Sequence, residues 1–469
     1  MLTYNRGRSC TFVRQAAAAV VDRPAAAERF SEVNLIADPL YGYIEVTNGS
    51  PGVPGERHLL DNPWLQRLRR IHQLQSAWWV FPSAEHSRFT HLLGAMHLAS
   101  LFARRIDSSL RSAFVDVPSP ACVEETLRLA GLLHDVGHGP FGHFFDQEVL
   151  AQWGIDHEVI GRHLVENQLA ALVSELRAAP SGPFDSGESV DPRWVSWVMA
   201  DAEIPGYEPP GWLAACKPIL CGPATVDNLD YVRRDAYMCG ISLGPVDVQR
   251  LVHYSFIQDG SVALHMHASG ALQMFLASRL YMYTQVYHHR TGRRFDLAMR
   301  EIFAPTIARM LPGNPLEALD DYLRLTDWSV LETAQRWAHT PTDDEERRLG
   351  DAWGRLFRRE LHWHLAYETI AHRGADVSNL RARLLAEVPA VAPGVGVEVD
   401  VVSAKIAPQN PMADHGFVAL YDPIRGAVER AHTAEMIERL PQHNQLVRVF
   451  TDDAAAVPAL EAAVRRLLA

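Results

Sequence analysis

Between His134 and Asp146 the chain reads HDVGHGPFGHFFD, three histidines and two aspartates set around Gly137, Gly139 and Gly142. Imidazoles and carboxylates ligate borderline divalent metals, and they are also the side chains that most readily carry protons. Adjacent residues cannot stand on opposite sides of a helix, so His134 and Asp135 can reach one ion. Glycine lets the backbone turn tightly and come close to a ligand. Two more residues extend the set, because His91 opens one expected helix and Asp227 begins another. His91, His134, Asp135 and Asp227 then offer two imidazoles and two carboxylates. That donor set suits Mn, Fe, Zn, Co or Ni better than a bare Mg site. An ion held this way keeps positions for water and a phosphate oxygen, where it acts as a Lewis acid.

Groups for proton transfer and anion binding lie nearby. His138, His143, Asp146 and His157 remain for proton work, and an Asp146–His157 contact would orient and polarise that imidazole. Asp227, Tyr231 and Asp235 recur at i, i+4 and i+8, one face of one helix. The alternative for this trio is an exposed acidic stripe. Arg88 precedes His91 by one helical turn, and its guanidinium fork matches phosphate geometry. Further arginines gather at 67, 69 and 70. Arg279 and Arg290 flank Tyr287, a spacing equally consistent with a solvated helix surface.

The elements that must position these groups are mostly helical. A turn at Asp38-Pro39 leads into a strand over 43–47. Helical periodicity covers 62–75, 90–106 and 122–138, the last ending in the His-Asp pair. It continues over 156–170, 190–199, 227–241 with a stop at Gly240, 271–290, 296–340 and 343–370. A Val/Pro/Gly stretch at 388–397 resembles a linker. Beyond it VEVDVVSAKIAP and LVRVFT alternate as strands do, around a helix near 433–440. The expected organisation is an extension over 1–30, a catalytic domain over 31–300, a helical extension over 301–392 and a small α+β module over 393–469.

Composition bounds the function. The chain has 469 residues, 48% of them hydrophobic, and a net charge of −12. No basic field exists to hold nucleic acid nonspecifically. No apolar run approaches a membrane span, so no membrane partner is expected. Five scattered cysteines fit reduced thiols in a cytoplasm.

The order His91, His134-Asp135, Asp227 resembles the H…HD…D signature of HD-domain metal-dependent phosphohydrolases. Longer segments narrow the likeness: DPLYGYIEV, QRLRRIHQLQSAWWVFPSAEHSRFTHLLG, LLHDVGHGPFGHFFD, IDHE and DNLDYVRRDAYMCGI. They are similar to SAM-and-HD-domain deoxynucleoside triphosphate (dNTP) triphosphohydrolases and bacterial dGTPase-like relatives, over about 34–300 and more loosely over 300–390. The resemblance implies a mainly α fold, an HD-domain helical body with a small C-terminal α+β module. It implies metal roles for His91, His134, Asp135 and Asp227, and a catalytic Asp146–His157 pair. His138 and His143 would face the α-phosphate, with Arg88 on phosphate. Gln73 and Leu74 match a sugar-facing pair that disfavours a 2′-hydroxyl, and Tyr231, Asp235, Arg279 and Tyr287 match nucleotide contacts. The implied reaction converts a dNTP to deoxynucleoside and inorganic triphosphate, with Mg accompanying the substrate phosphates and the chain acting as a homo-oligomer. Nucleotidase, cyclic-nucleotide phosphodiesterase or (p)ppGpp hydrolase activity, or dNTP sensing with little turnover, are the alternatives. The sequence departs from the pattern at Asn228, where the animal enzymes carry a phosphate-binding lysine, and at His288, where a glutamine lies near the base.

Overall fold

The computed structural model describes residues 32–200, 204–222, 224–372, 377–405, 419–430 and 443–468. The extension expected over 1–30 and the helix expected near 433–440 lie outside the described residues. The fold is mainly α-helical. Its principal helices are α1 (Arg88–Ala113), α2 (Pro120–Leu133), α3 (His143–Glu148), α4 (His157–His163), α5 (Val226–Cys239), α6 (Ser269–Met282), α7 (Arg290–Arg300), α8 (Asp344–Phe357), α9 (Val377–Glu387) and α10 (Val457–Leu468). The longer strands are β1 (Val33–Asp38), β2 (Gly42–Thr47), β3 (Ser255–Gln258), β4 (Ser261–His265), β5 (His364–His372), β6 (Val397–Lys405), β7 (Ala419–Asp422), β8 (Ala427–Arg430) and β9 (His443–Thr451).

Helix α1, 26 residues long, is the axis of the core. Helix α2 starts at the Ser119 cap with Pro120 in its first turn, and every residue from Ala121 to Leu133 is buried. Helix α5 starts from a Thr225–Asn228 capping box and stops at Gly240, whose φ of 70° is left-handed. Two glycines let these helices meet. A β-carbon on Gly131 would lie 2.8 Å from the Ala95 carbonyl oxygen, and one on Gly94 would lie 1.9 Å from Asp230 Oδ1. Both close approaches fall within about a turn of His91 or His134, so they draw the ends of α1, α2 and α5 together.

Strands β1 and β2 form an antiparallel hairpin, closed by Asp38, whose side chain accepts from the Leu40 and Tyr41 amides. Near the C-terminus the sheet order is β6–β9–β5, all antiparallel. Helices α9 and α10 supply Leu384, Val388, Leu460 and Val464 to an apolar core shared with Val399, Val447 and Val449. The β7–β8 hairpin falls between β6 and β9 in sequence, yet it joins β3–β4, with β7 parallel to β4.

The structure alters four expected elements. The helix over 343–370 ends at Phe357, Arg359 takes a left-handed φ of 60°, and residues 364–372 become β5 by pairing with β9. The helix over 62–75 stops at Arg70; the His72 amide then donates to Asp327 Oδ2, a tertiary bond that overrides local periodicity. The α-helix over 271–290 gives way at Tyr283 to a π-turn running to Tyr287. The strand at 43–47 has a partner, β1, before the Asp38-Pro39 turn. Among the described residues no helix is long and apolar enough to cross a membrane.

The fit at Gly94 gives a stability test. An added methyl must displace the buried Asp230–Arg234 pair, and forced overpacking of this kind costs about 2 kcal/mol. Gly94→Ala is expected to lower the denaturant midpoint accordingly; an unchanged midpoint would show that the pair yields freely.

Candidate metal centre and substrate cleft

The donor atoms of His91, His134, Asp135 and Asp227 converge from three helix ends. His91 lies in the first turn of α1, the His134-Asp135 pair follows α2, and Asp227 lies in the first turn of α5. His91 Nε2 is 3.0 Å from Asp227 Oδ1 and 3.4 Å from His134 Nε2. His134 Nε2 is 3.5 Å from Oδ1 of both Asp135 and Asp227. Ligands about 2.1 Å from one ion stand roughly 3.0–3.5 Å apart in octahedral or tetrahedral geometry, so these spacings suit a shared divalent cation.

The outward nitrogens of both imidazoles are committed. His134 Nδ1 donates to the Gly131 carbonyl at 2.9 Å, and His91 Nδ1 pairs with Asp230 Oδ2 at 2.8 Å. Each ring therefore turns Nε2 toward the common point, the arrangement that orients metal-bound histidines. Asp230 is itself held by Tyr41 Oη at 2.8 Å and by Arg234, which also reaches Asp38 at 2.8 Å. Burial opposes a charge on His91, but its bonds to Asp227 and Asp230 outweigh that and push its pKa up to about 10. His134 is also raised, by Asp135 and Asp227 against burial. A bound cation would take the place of those protons.

A second cluster adjoins the first. His157 Nδ1 is 2.7 Å from Asp146 Oδ2, and His143 Nδ1 is 3.3 Å from the same oxygen. The His138 and His157 rings stack at 3.7 Å. Burial, Arg88 and His157 hold His138 well below its ordinary pKa. His157 is raised, because Asp146 outweighs burial, and Asp146 is held far below the usual carboxylate range by His143 and His157 in spite of burial. A neutral imidazole thus lies against one that favours its charged form.

These groups open onto a cleft of about 580 Å³. Gln73, Leu74, Arg88, His134, Asp135, His143, His157, Asp227, Tyr231, Asp235, Arg279 and Tyr287 all line it. His91, His138 and Asp146 stand behind that lining, each touching a residue in it: Asp227, Asp135 and His157. The acidic face of α5 is therefore turned inward. Of the four arginines gathered before His91, only Arg88 lines the cleft. It donates to Asp135 Oδ2 at 2.5 Å, and its buried Nε has no hydrogen-bond partner among the described residues. Arg67 instead bonds the His138 carbonyl, and Arg290 pairs with Glu368.

Some members of the site escape sequence inspection. Asp230 lacks a pattern of its own. His86 Nε2 holds Asp235 Oδ1 at 2.8 Å while Tyr287 Oη donates to Oδ2 at 2.8 Å. Tyr283 lies four residues from both Arg279 and Tyr287, and that helical spacing could have revealed it. Arg293 and Asp296 also line the cleft. Asn228 spends its side-chain oxygen on the Thr225 amide at 2.7 Å, as a helix cap. Burial and Arg293 lower His288 to a pKa of about 4, so it is neutral at pH 7.

The HD-domain family profile matches residues 88–193, the segment that carries three of the four converging donors. The chain carries an HD domain over that segment. An HD-associated region matches residues 246–466. The zebrafish protein deoxynucleoside triphosphate triphosphohydrolase SAMHD1 is 25% identical over 466 residues, covering 90% of this chain and 72% of that protein. A hypothetical protein from Aquifex aeolicus of known structure is 25% identical, with a TM-score of 0.67 over 92% of this chain and all of that one. A phosphohydrolase from Bacteroides thetaiotaomicron, 20% identical, shares the fold with a TM-score of 0.65 over 89% of this chain and 99% of that one. The His/Asp cluster of this HD domain can hold a divalent metal.

The Asp230–His91 bond makes a measurable prediction. Asp230→Asn keeps the shape but weakens the hold on His91 Nδ1, and losing such a supporting contact costs about 10–100-fold in metal affinity. Chelator competition with Mn or Co on the purified chain should show that loss; an affinity within twofold of wild type would refute the role.

Proposed function

We infer that the chain hydrolyses deoxynucleoside triphosphates to deoxynucleoside and inorganic triphosphate. The observation that carries this reading is one shared cleft, lined by His134, Asp135, Asp227 and Arg88 together with Gln73, Leu74, Tyr231, Asp235, Arg279 and Tyr287. Its volume suits a nucleotide-sized ligand. The zebrafish relative, whose name states this activity, aligns over nearly the whole chain.

A divalent cation held by His91, His134, Asp135 and Asp227 would supply Lewis-acid polarisation of a phosphoryl oxygen. The chain's own residues do the rest. Arg88, with its free Nε, faces the growing charge on the α-phosphate. Water adds to the α-phosphorus, the Pα–O5′ bond breaks, and the water oxygen stays with the triphosphate. A proton must reach O5′; His143 is its donor, while His157, oriented by Asp146, exchanges protons at Nε2. Asp235, fixed by His86 and Tyr287, accepts from the sugar hydroxyl, and Gln73 and Leu74 crowd the 2′ position.

Product analysis tests this reading. With Mn, Fe, Co or Mg, each dNTP should give deoxynucleoside and intact triphosphate in equal amounts, and His134→Ala/Asp135→Ala should fall to background. Arg88→Ala should lower kcat about 10²-fold, the loss expected when one charge-stabilising donor is removed. Release of orthophosphate, pyrophosphate or a nucleoside monophosphate would instead favour another phosphohydrolase activity. Binding without turnover would favour a sensor.

A further inference from the structure

The C-terminal sheet carries a row of charges that ends at the cleft. Glu368, Arg448 and Asp400 stand opposite one another across β5, β9 and β6. Their neighbours Val399, Val447 and Val449 belong to the module's own apolar core, so strand alternation turns the charged row the other way. Arg448 Nε donates to Glu368 Oε1 at 2.8 Å, and Arg448 Nη1 lies 3.7 Å from Asp400 Oδ2. Asp400 accepts a two-pronged fork from Arg293 of α7, Nε at 3.1 Å and Nη2 at 3.0 Å. Arg293 Nη1 donates to Asp296 Oδ2 at 2.9 Å, and the other Asp296 oxygen accepts from Ser76 Oγ at 2.5 Å and Gln75 Nε2 at 3.2 Å.

This chain of contacts joins parts of the molecule that are far apart in sequence. Ser76, Gln75, Arg293 and Asp296 line the cleft, whereas Asp400 does not. Forked arginine–carboxylate pairs fix direction as well as distance. Asp296 and Arg448 are 3% and 2% exposed, so water screens little of the interaction. The loop receiving the last bonds follows directly on Gln73 and Leu74.

We propose that the C-terminal module is a working part of the substrate cleft, and that its Asp400–Arg293 fork positions the 73–77 loop. Asp400 is a positioning residue: it sets how the nucleoside end of the substrate is held and leaves the phosphoryl chemistry to the opposite end. That a nucleoside fills this end rests on the reading given under Proposed function; the coupling of sheet to loop does not.

The test uses the full chain with Asp400→Ala and the near-isosteric Asp400→Asn, the latter serving if the alanine variant does not fold. Hydrogen exchange reads the coupling without any substrate, because the Gln73 amide bonds the His86 carbonyl and the Ala77 amide bonds the Leu74 carbonyl. Exchange at 73–77 should quicken about tenfold, with 134–142 unchanged. KM for the dNTPs should rise about tenfold while kcat stays within about twofold. Unchanged exchange at 73–77 overturns the proposal. So does faster exchange that spreads over 134–142, or a KM that does not move while the loop loosens. If the wild-type chain releases no triphosphate from any dNTP, the nucleotide reading fails, and the exchange result alone decides the coupling.

Discussion

Asp230 is a fully buried carboxylate shared by three donors: His91 Nδ1, the Arg234 guanidinium and the Tyr41 hydroxyl. Burial works against its charge, and Arg234 and His91 hold its pKa down to about 2. An unpaired carboxylate in that position would cost several kcal/mol, so it persists only with all its partners in place. Each partner comes from a different element. Tyr41 lies in the turn between β1 and β2, His91 on α1, and Arg234 on α5, where it also takes Asp38. Gly94 leaves the space the pair needs. One buried charge therefore locks a hairpin and two helices together, and the same charge aims His91 Nε2 at Asp227. This gives a physical reason for Asp38 and Tyr41 in the DPLYGY segment, which has no chemistry of its own.

The glycine-rich loop is fixed from the opposite side. Tyr322 Oη donates to the Gly137 carbonyl at 2.6 Å, Arg67 Nη1 to the His138 carbonyl at 2.7 Å, and the Phe141 amide to Asp327 Oδ1 at 2.8 Å. Phe141 takes a left-handed φ of 61°, a conformation L-residues other than Gly, Asn or Asp rarely hold without support. Asp327 also receives the His72 amide, so one carboxylate couples the metal-side loop to the segment that leads into Gln73 and Leu74. Residues beyond 320 thus underlie a loop near 140, and Tyr322 and Asp327 support the site although neither lines the cleft.

Much of the centre is legible in the sequence because its chemistry is dense and local. The HDVGHGPFGH run, the Asp227–Tyr231–Asp235 spacing and the long apolar helices each carry a pattern, and the cleft gathers those residues. The partners that hold them do not carry one. Asp230, His86, Asp327 and Tyr322 act across separations of 139 to 255 residues or comparable spans, and a single buried polar residue looks the same in sequence whether it serves a site or a surface. Strand β5 shows a related limit. HWHLAYETI has apolar residues that fit a helix as well as a strand, and only pairing with β9 decides between them.

The distribution of charge shows what a metal would add to this architecture. The chain carries −12 overall, so its long-range field repels an anionic ligand. Inside the cleft, Arg293 is already divided between Asp296 and Asp400, and Arg279 Nε is turned to the Tyr231 hydroxyl. Asn228 offers no cation and is occupied in capping α5. Arg88 is left as the guanidinium beside the converging donors, and Asp135 takes part of its charge. For a polyphosphate occupant, the fixed positive charge of the protein is thus too small at the reacting end. A divalent ion among four acidic and imidazole donors would supply the missing charge at short range, where a net negative surface weakens it least. On the proposed function, recognition would divide by physical origin: the end with the His/Asp cluster would bind through charge, and the nucleoside would be held through positioned hydrogen bonds kept in register by the C-terminal sheet.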